Sequence, residues 1–263
     1  MGVLKAVLWD VDGTIAETER DGHRIAFNRA FEAFGLPWRW DELLYGELLQ
    51  ITGGRERLLH DLQTRPGAPA QPAALDALAK TLHAKKNALY ADLVGTGRIP
   101  LREGVAKLMA QCHARGVRMG IATTTSRSNV DALMRWHFGA SWAQQFPVIV
   151  CGEDVERKKP DPAVYLQALQ RLGIDPLEAV AIEDSPTGAA AARAAGIPVV
   201  VTRSVYFEPS SIEGALAAGP GLHSRRGWWP ALRTGTDERE SVDLDDIEAW
   251  RAEVNLAARA AAD

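Results

Sequence analysis

The order of apolar and polar positions predicts one early strand followed by a long helical stretch. Residues 6–9 form a short, uninterrupted apolar run (Ala-Val-Leu-Trp), which is typical of a strand buried in a parallel sheet. Between residues 16 and 98, apolar residues recur at helical spacing and no convincing strand is present. A helical insertion therefore separates the first strand from the rest of its sheet. The helices predicted within it are 17–34, 41–62 and 72–93.

From residue 99 onward, predicted helices and strands alternate. This alternation is typical of a doubly wound parallel sheet with helices on both faces. Together with the strand at 6–9, we count five core strands. We therefore predict an α/β fold in which residues 1–15 and 99–263 form a discontinuous, Rossmann-like core, while residues 16–98 form a helical domain. The predicted helices are 103–114, 128–136, 162–172 and 187–195, and the predicted strands are 117–123, 148–151, 179–182 and 198–201.

The segment after residue 203 shows no clear period. Residues 219–235 contain Gly, Pro, the adjacent Trp228 and Trp229, and an Arg-Arg pair at 225–226. Three interpretations are open: a packed surface excursion, which we favour, a partner-binding patch, or a partly disordered loop. Residues 241–244 predict a short edge strand, and residues 246–260 predict a closing helix.

Composition and charge narrow the classes of function. Of the 263 residues, 46% are hydrophobic and 24% are charged, and the formal net charge is −4. Charges of both signs are dispersed, so nothing implies a nucleic-acid or membrane partner, and we expect a monomer. A strand begins almost at once and no apolar run is long enough to span a bilayer, so the expected location is the cytoplasm. We interpret Cys112 and Cys151 as small buried residues and not as a disulfide.

The first predicted strand ends in two aspartates that point to the same side. In Asp10-Val-Asp12-Gly13-Thr14, the residue between the two acids points to the opposite side of the extended chain. Gly13 and Thr14 favour a tight turn, and ligands of α/β sheets bind at such strand ends. One carboxylate can attack phosphorus, and the second can protonate the leaving oxygen and then activate water. Capping of the next helix is the alternative, and the position directly after an apolar strand favours chemistry.

Two later strand ends carry groups that are suited to holding a phosphate. Thr123 ends the strand at 117–123, and its hydroxyl is our candidate for a phosphate contact, whereas helix capping better explains Thr125. Lys159 precedes Pro160, which fixes the local backbone. We take Lys159, with Lys158 as the fallback, as the cation that offsets negative charge between the nucleophile and the phosphate.

A third strand end is acidic. The strand at 179–182 is followed by Glu183 and Asp184. Burying these acids beside Asp10 and Asp12 is costly without a compensating cation. An oxygen-rich cluster of this kind suits Mg²⁺, which prefers carboxylates, water and phosphate oxygens. We therefore predict a magnesium site there.

These motifs, in this order, resemble the four motifs of the haloacid-dehalogenase-like (HAD) hydrolase superfamily. The resemblance spans residues 6 to about 201, and the helical insertion resembles the superfamily's cap domain. It implies a phosphoric monoester hydrolase that forms an aspartyl-phosphate. The implied roles are nucleophile for Asp10, general acid/base for Asp12, phosphate contact for Thr123 and Lys159, and Mg²⁺ binding for Asp10, the Asp12 carbonyl and Asp184, assisted by Glu183.

A narrower resemblance concerns the substrate. Residues 16–19 (Ala-Glu-Thr-Glu), 52–57 (Thr-Gly-Gly-Arg-Glu-Arg), 123–126 and 158–160 look like those of the CbbY-type proteins, which are related to β-phosphoglucomutase. Those proteins are sugar-phosphate phosphatases that act on xylulose 1,5-bisphosphate, an inhibitor of Rubisco. The resemblance implies this small phosphorylated sugar as substrate. The implied substrate-binding residues are Arg55 and Lys86 for the second phosphate, His23 and Glu17 for sugar hydroxyls, Asn129 at the rim, and Gly53, Gly54, Thr124 and Thr125.

Alternative functions share much of this pattern. A phosphomutase of the β-phosphoglucomutase type uses the same four motifs, and a phosphoglycolate-type phosphatase differs only in its substrate. A non-enzymatic phospho-aspartate receiver is disfavoured by Asp12 and by the helical insertion. A dehalogenase is disfavoured because it does not need the clustered acids Glu183 and Asp184. The tail from about residue 204 has no counterpart in the resemblance.

Overall fold

A parallel sheet lies at the centre of the computed structural model, which describes residues 3–207, 212–231 and 241–260. The strands are β1 (Ala6–Trp9), β2 (Arg118–Ala122), β3 (Val148–Val150), β4 (Ala179–Glu183), β5 (Val199–Thr202) and β6 (Ala217–Gly219). They lie in the order β3-β2-β1-β4-β5-β6, and each neighbouring pair is parallel. The first strand in the chain is therefore central, with Trp9 opposite Ile121 on one side and Ile182 on the other.

Helices cover both faces of the sheet. Alternate residues of a strand point to opposite faces, so Val7 and Trp9 belong to one apolar cluster while Ala6 and Leu8 belong to another. This two-sided burial accounts for the uninterrupted apolar run of β1. The helices are α1 (Arg24–Ala33), α2 (Glu42–Leu48), α3 (Gly54–Leu62), α4 (Pro72–Val94), α5 (Val105–Ala114), α6 (Arg127–Phe138), α7 (Ala163–Leu172), α8 (Pro186–Ala194) and α9 (Leu244–Ala260).

The predicted doubly wound α/β fold is confirmed, with one additional strand. The four strands predicted after residue 99 correspond to β2, β3, β4 and β5, but within the described residues the sheet has six strands and not five. The additional strand, β6, has the sequence Ala-Ala-Gly, which carries none of the β-branched or aromatic residues that indicate a strand. Trp228 packs directly on this strand: a Cβ added to Gly219 would lie 2.3 Å from the Trp228 ring.

Of the two adjacent tryptophans of the tail, Trp228 packs against the core, whereas Trp229 is 72% exposed. Trp228 is 5% exposed, and its ring lies 4.9 Å from that of Trp250 in α9, as expected for a packed excursion. Residues 232–235 of that predicted excursion lie outside the described residues. The edge strand predicted at 241–244 is wrong, because α9 begins at Leu244 and no strand precedes it in the described segment. Asp243 Oδ1 accepts a hydrogen bond from the Asp246 backbone N–H at 3.0 Å, which favours the start of a helix there.

Residues 19–94, here called the cap helices, are inserted in the sequence between β1 and the remaining elements of the core. They contain a single π-helical turn at Glu19–His23 followed by α1, α2, α3 and α4. The single helix predicted at 41–62 is wrong: α2 ends at Leu48 and α3 begins at Gly54. Gly53, directly before α3, has a φ of 92°, which a regular helix does not allow. The cap helices have their own apolar cluster, which includes Phe27, Trp40 and Tyr45, and Phe207 from the segment after β5 packs into it.

Both cysteines are buried and free, as predicted. Burial raises the pKa of each thiol, Cys112 and Cys151, to about 12.

Within the described residues, no helix combines the length and the apolar character needed to cross a membrane.

Candidate active site

The carboxyl ends of the three central strands bring the predicted catalytic residues together. The parallel register places the residues after Trp9, Ile121 and Ile182 side by side. Asp10 N–H donates to the Ile182 carbonyl at 3.0 Å, and Thr123 N–H donates to the Val150 carbonyl at 3.0 Å. Both side chains are buried, and both line a cavity of about 460 Å³ between the sheet edge and the cap helices.

Lys159 is the central cation of this sheet edge. Its ammonium donates to Asp10 Oδ1 at 2.6 Å, to Glu183 Oε1 at 2.7 Å and to the Ala122 carbonyl at 2.9 Å. Burial alone would lower the pKa of Lys159, but the two carboxylates outweigh it and raise this pKa above its ordinary value. Lys158 is different, because it donates to backbone carbonyls of its own loop, at 3.0 Å to Val155 and to Gly152. The choice of Lys159 over Lys158 therefore agrees with the geometry.

Three carboxylates converge beside Lys159 with too little positive charge to balance them. One oxygen each from Asp10, Glu183 and Asp184 lies within 4.8 Å of the others. Burial raises the pKa of Asp10 to about 8, although Lys159 opposes this, and burial together with Asp10 and Glu183 raises the pKa of Asp184 well above its ordinary value. Glu183 Oε2 is buried without a hydrogen-bond partner.

This arrangement fits a divalent cation. A hard, oxygen-only ligand set and an uncompensated buried acid are the conditions that favour Mg²⁺ binding. Gly13 has a φ of 78°, and a Cβ there would lie 2.1 Å from Asp184 Oδ2, so only glycine lets Asp184 approach the β1 turn. This acidic cluster therefore indicates a divalent metal site.

Asp12 turns away from that cluster and toward the cap helices. Its Oδ1 accepts a hydrogen bond from Thr18 Oγ1 at 2.5 Å and lies 2.9 Å from His23 Nε2. Burial by itself would raise the pKa of Asp12, but His23 and Thr18 outweigh it and hold this pKa below its ordinary value. The side chain of Asp12, which was predicted to join the acid cluster, is therefore separated from the other three carboxylates.

Lys86 is a buried cation in the same cavity. It is 2% exposed, and its ammonium lies 4.9 Å from the Phe27 ring centroid and 5.5 Å from that of Tyr90. Burial lowers the pKa of Lys86 to about 8. Among the described residues, no carboxylate lies within ion-pair distance of its ammonium, and the nearest polar contact is Asn87 Oδ1 at 3.4 Å. Lys86 is thus available to an anion.

Arg55 differs from Lys86 in exposure and pairing. It forms an ion pair with Asp76 in which both side chains are nearly half exposed. The cavity is also lined by the other residues predicted to bind substrate, apart from Glu17. Those residues are His23, Gly53, Gly54, Thr124, Thr125 and Asn129.

Glu17 lies elsewhere. Its Oε1 pairs with Arg102 Nε at 3.2 Å, and it is not among the residues that line the cavity. Arg102 also donates to the carbonyls of Arg203 and Pro220, so this pair joins the turn after β1 to the tail. The acid from that stretch that does line the cavity is Glu19.

Several residues that line the cavity or contact its acid cluster were not predicted from the sequence. Tyr165 donates to Glu183 Oε1 and helps to fix the acid cluster. His83 and Asn87 line the cavity from α4, and burial, aided by Lys86, lowers the pKa of His83 to about 4. One available signal was the spacing of Glu19 and His23, which lie four residues apart and share the π-helical turn.

This fold and this acid site define a hydrolase of the haloacid dehalogenase-like class. The model of that family matches residues 4–196. The chain is 42% identical to the CbbY protein of Cupriavidus necator over 94% of this chain and 96% of that one, and 46% identical to CbbY of Rhodobacter capsulatus over 81% and 91%. A crystal structure of a CbbY variant from Rhodobacter sphaeroides in complex with xylulose 1,5-bisphosphate has a TM-score of 0.76 and 41% identity, covering 81% of this chain and 92% of that one. The chain belongs to the CbbY proteins within the haloacid dehalogenase-like hydrolases.

Proposed function

We propose that this chain is a Mg²⁺-dependent phosphatase that hydrolyses xylulose 1,5-bisphosphate through an aspartyl-phosphate on Asp10. One observation carries the proposal: a single cavity holds the Asp10–Lys159 centre and a second buried cation, Lys86, that has no carboxylate partner among the described residues. A bisphosphate needs a cation for the phosphate that does not react. The bisphosphate bound by the Rhodobacter sphaeroides relative supports the same substrate here.

The proposed reaction takes place in two steps. First, the Asp10 carboxylate forms a bond to phosphorus and the phosphorus–oxygen bond to the sugar breaks, while Asp12, which takes up a proton when the phosphate dianion binds beside it, gives that proton to the leaving sugar oxygen. Water then attacks the phosphorus and gives a proton to Asp12. The aspartyl-phosphate bond breaks, which releases inorganic phosphate and restores the Asp10 carboxylate.

The residues around Asp10 support these steps. Lys159, 2.6 Å from Asp10, offsets the negative charge that gathers when a phosphate approaches a carboxylate, and Thr123 is available to a phosphate oxygen. Mg²⁺ held by Asp10, Asp184 and the Asp12 carbonyl, with Glu183 assisting, would add positive charge at the reacting phosphate. Bulk water has to be excluded from the cavity while the aspartyl-phosphate forms. We propose that residues 16–98 act as a cap domain that closes over the cavity for this purpose.

Lys86 is the better candidate for the distal phosphate. Lys86 is buried and has no carboxylate partner in the part of the chain that the structure describes, so its charge is weakly screened in the cavity. Arg55, by contrast, is already paired with Asp76 at the rim.

The test is phosphate release from four compounds: xylulose 1,5-bisphosphate, ribulose 1,5-bisphosphate, phosphoglycolate and glucose 1-phosphate. Each is assayed with Mg²⁺ and with EDTA, using the wild type, Asp10→Asn, and Asp245→Asn as a matched control at an exposed acid of α9. We expect fast release from the first compound in Mg²⁺, loss of it in EDTA and in Asp10→Asn, and no change in the control.

Other outcomes separate the alternatives. Release chiefly from phosphoglycolate would retain the Asp10 chemistry and replace the substrate. Conversion of glucose 1-phosphate into an isomer without free phosphate would identify a phosphomutase. Release that persists in Asp10→Asn would overturn the aspartyl-phosphate mechanism itself.

A further inference from the structure

The acidic side chain of Glu19 lines the same cavity as Lys86 and Lys159, the two cations proposed to hold phosphates. It lines the cavity from the π-helical turn, and its side chain is 16% exposed. Among the described residues, the contacts of the Glu19 carboxylate are all made by one of its two oxygens. Glu19 Oε2 accepts a hydrogen bond from the Tyr45 hydroxyl at 2.5 Å and lies 3.6 Å from Arg57 Nη1. Within the described residues, no hydrogen bond to Oε1 is formed.

Arg57 and Tyr45 are held firmly behind this carboxylate. Arg57 is 5% exposed and Tyr45 is fully buried. Arg57 Nη1 donates to the Tyr45 hydroxyl at 2.9 Å, and Arg57 Nε donates to the Leu48 carbonyl at 3.2 Å. The guanidinium also lies over the Tyr45 ring, 5.1 Å from its centroid. Tyr45 lies on α2 and Arg57 lies on α3. The contacts between them hold both side chains in place where they contact Glu19.

This pairing explains how an acid can be present where phosphates bind. An unpaired carboxylate in a buried cavity would repel each phosphate of a bisphosphate. Arg57 supplies the compensating charge, so the Glu19–Arg57 pair is close to neutral. Burial would lower the pKa of Arg57, but Tyr45 and Glu19 outweigh it and raise this pKa, so the guanidinium stays charged.

The remaining oxygen of Glu19 is restricted in what it can bind. An ionised carboxylate only accepts hydrogen bonds, so its ligand must be a donor. Phosphate dianions offer no such donor, whereas the hydroxyls of a sugar do. We propose that Glu19 accepts hydrogen bonds from hydroxyls of the sugar and thereby selects polyhydroxylated substrates, with Arg57 and Tyr45 as positioning residues. This inference rests on the proposed function, and it assigns to Glu19 the role that the sequence suggested for Glu17.

The test compares two substrates that each carry a phosphate ester able to react with Asp10 but that differ in their hydroxyl groups. Xylulose 1,5-bisphosphate carries hydroxyls, and p-nitrophenyl phosphate carries none. We expect Glu19→Gln to lower kcat/KM for the sugar by about 10- to 100-fold, mainly through KM, because one charge-assisted hydrogen bond is weakened. The same variant should hydrolyse p-nitrophenyl phosphate at a rate within about twofold of the wild type, and Glu47→Gln, an exposed acid on α2, should change neither rate.

A double variant separates positioning from direct binding by Arg57. If Arg57 acts through Glu19, Arg57→Gln lowers kcat/KM for the sugar and the double variant Glu19→Gln/Arg57→Gln is no worse than the poorer single variant. A double loss equal to the product of the two single losses would mean that Arg57 binds substrate independently and would overturn its positioning role. Unimpaired hydrolysis of p-nitrophenyl phosphate shows that each variant is folded.

Failure of this inference differs from failure of the proposed function. Equal losses on both substrates in Glu19→Gln, or no loss on either, would overturn the role of Glu19 while leaving phosphatase activity in place. If the wild type rejects xylulose 1,5-bisphosphate, the proposed substrate fails, and the comparison is made with the best sugar phosphate of the panel. Preference for phosphoglycolate over every sugar phosphate would overturn both proposals.

Discussion

His23 Nε2 lies 2.9 Å from Asp12 Oδ1, and this contact joins the cap helices to the second aspartate after β1. The His23 ring also stacks on Tyr90 of α4, with ring centroids 4.2 Å apart and planes at 29°. Both rings are buried. The position of the proposed general acid/base therefore depends on the packing of the cap helices as well as on the core.

Replacing His23 by Gln should lower kcat because Asp12 loses a partner that fixes its orientation. We expect a decrease of about 10- to 100-fold on p-nitrophenyl phosphate, which is part of the ~10²–10⁴-fold that a positioned acid or base supplies. The matched control is His113→Gln, an exposed histidine near the end of α5. An unchanged kcat in His23→Gln would show that Asp12 is positioned without its help.

Replacing Lys159 by Met should destabilise the fold. The change leaves Asp10 and Glu183 buried beside each other without their shared cation, and breaking a buried ion pair in this way costs about 3–5 kcal/mol of unfolding free energy. Lys158→Met removes only hydrogen bonds to carbonyls, so we expect a smaller loss, about 1–3 kcal/mol. Urea unfolding in EDTA measures both losses, and equal values would contradict the central position of Lys159.

Mg²⁺ should stabilise the protein, and Asp184→Asn should remove that effect. In EDTA the variant should unfold at a higher temperature than the wild type, because one of three converging carboxylates is neutralised. In Mg²⁺ the wild type should gain about 2.7 kcal/mol when the metal is present at 100 times its Kd, while the variant gains little. Calorimetry with and without Mg²⁺ measures both, with Asp245→Asn as an exposed control. An equal gain in Asp184→Asn would place the metal elsewhere.

The strand-end residues were predictable from sequence because a parallel register leaves little freedom. Once residues 6–9, 118–122 and 179–183 are adjacent strands, Asp10, Thr123 and Asp184 must lie at one edge of the sheet. The order of strands and of strand-end residues along the chain was therefore enough to predict which side chains meet at this edge.

Contacts between distant segments were not predictable in the same way. Glu17 and Glu19 lie two positions apart in one acidic stretch. Glu19, the first residue of the π-helical turn, lines the cavity, whereas Glu17, before this turn, pairs with Arg102. The residues of β6 likewise do not indicate a strand, and its Gly219 packs against Trp228 from a later part of the chain. Such features depend on partners that local patterns do not identify.

Acidification should destabilise the protein in a way that depends on His83. Burial, aided by Lys86, lowers the pKa of His83 in the folded state to about 4, against about 6.5 when unfolded. Between these two values the unfolded chain binds one more proton than the folded chain. The stability present above pH 6.5 is therefore lost as the pH falls toward 4, at up to about 1.4 kcal/mol per pH unit for this group. His83→Gln should show a shallower loss than the wild type across that window in urea unfolding. Thr81→Ser, an exposed change on the same helix, should follow the wild-type curve. Parallel curves for His83→Gln and the wild type would mean that His83 is protonated as readily in the folded protein as in the unfolded chain.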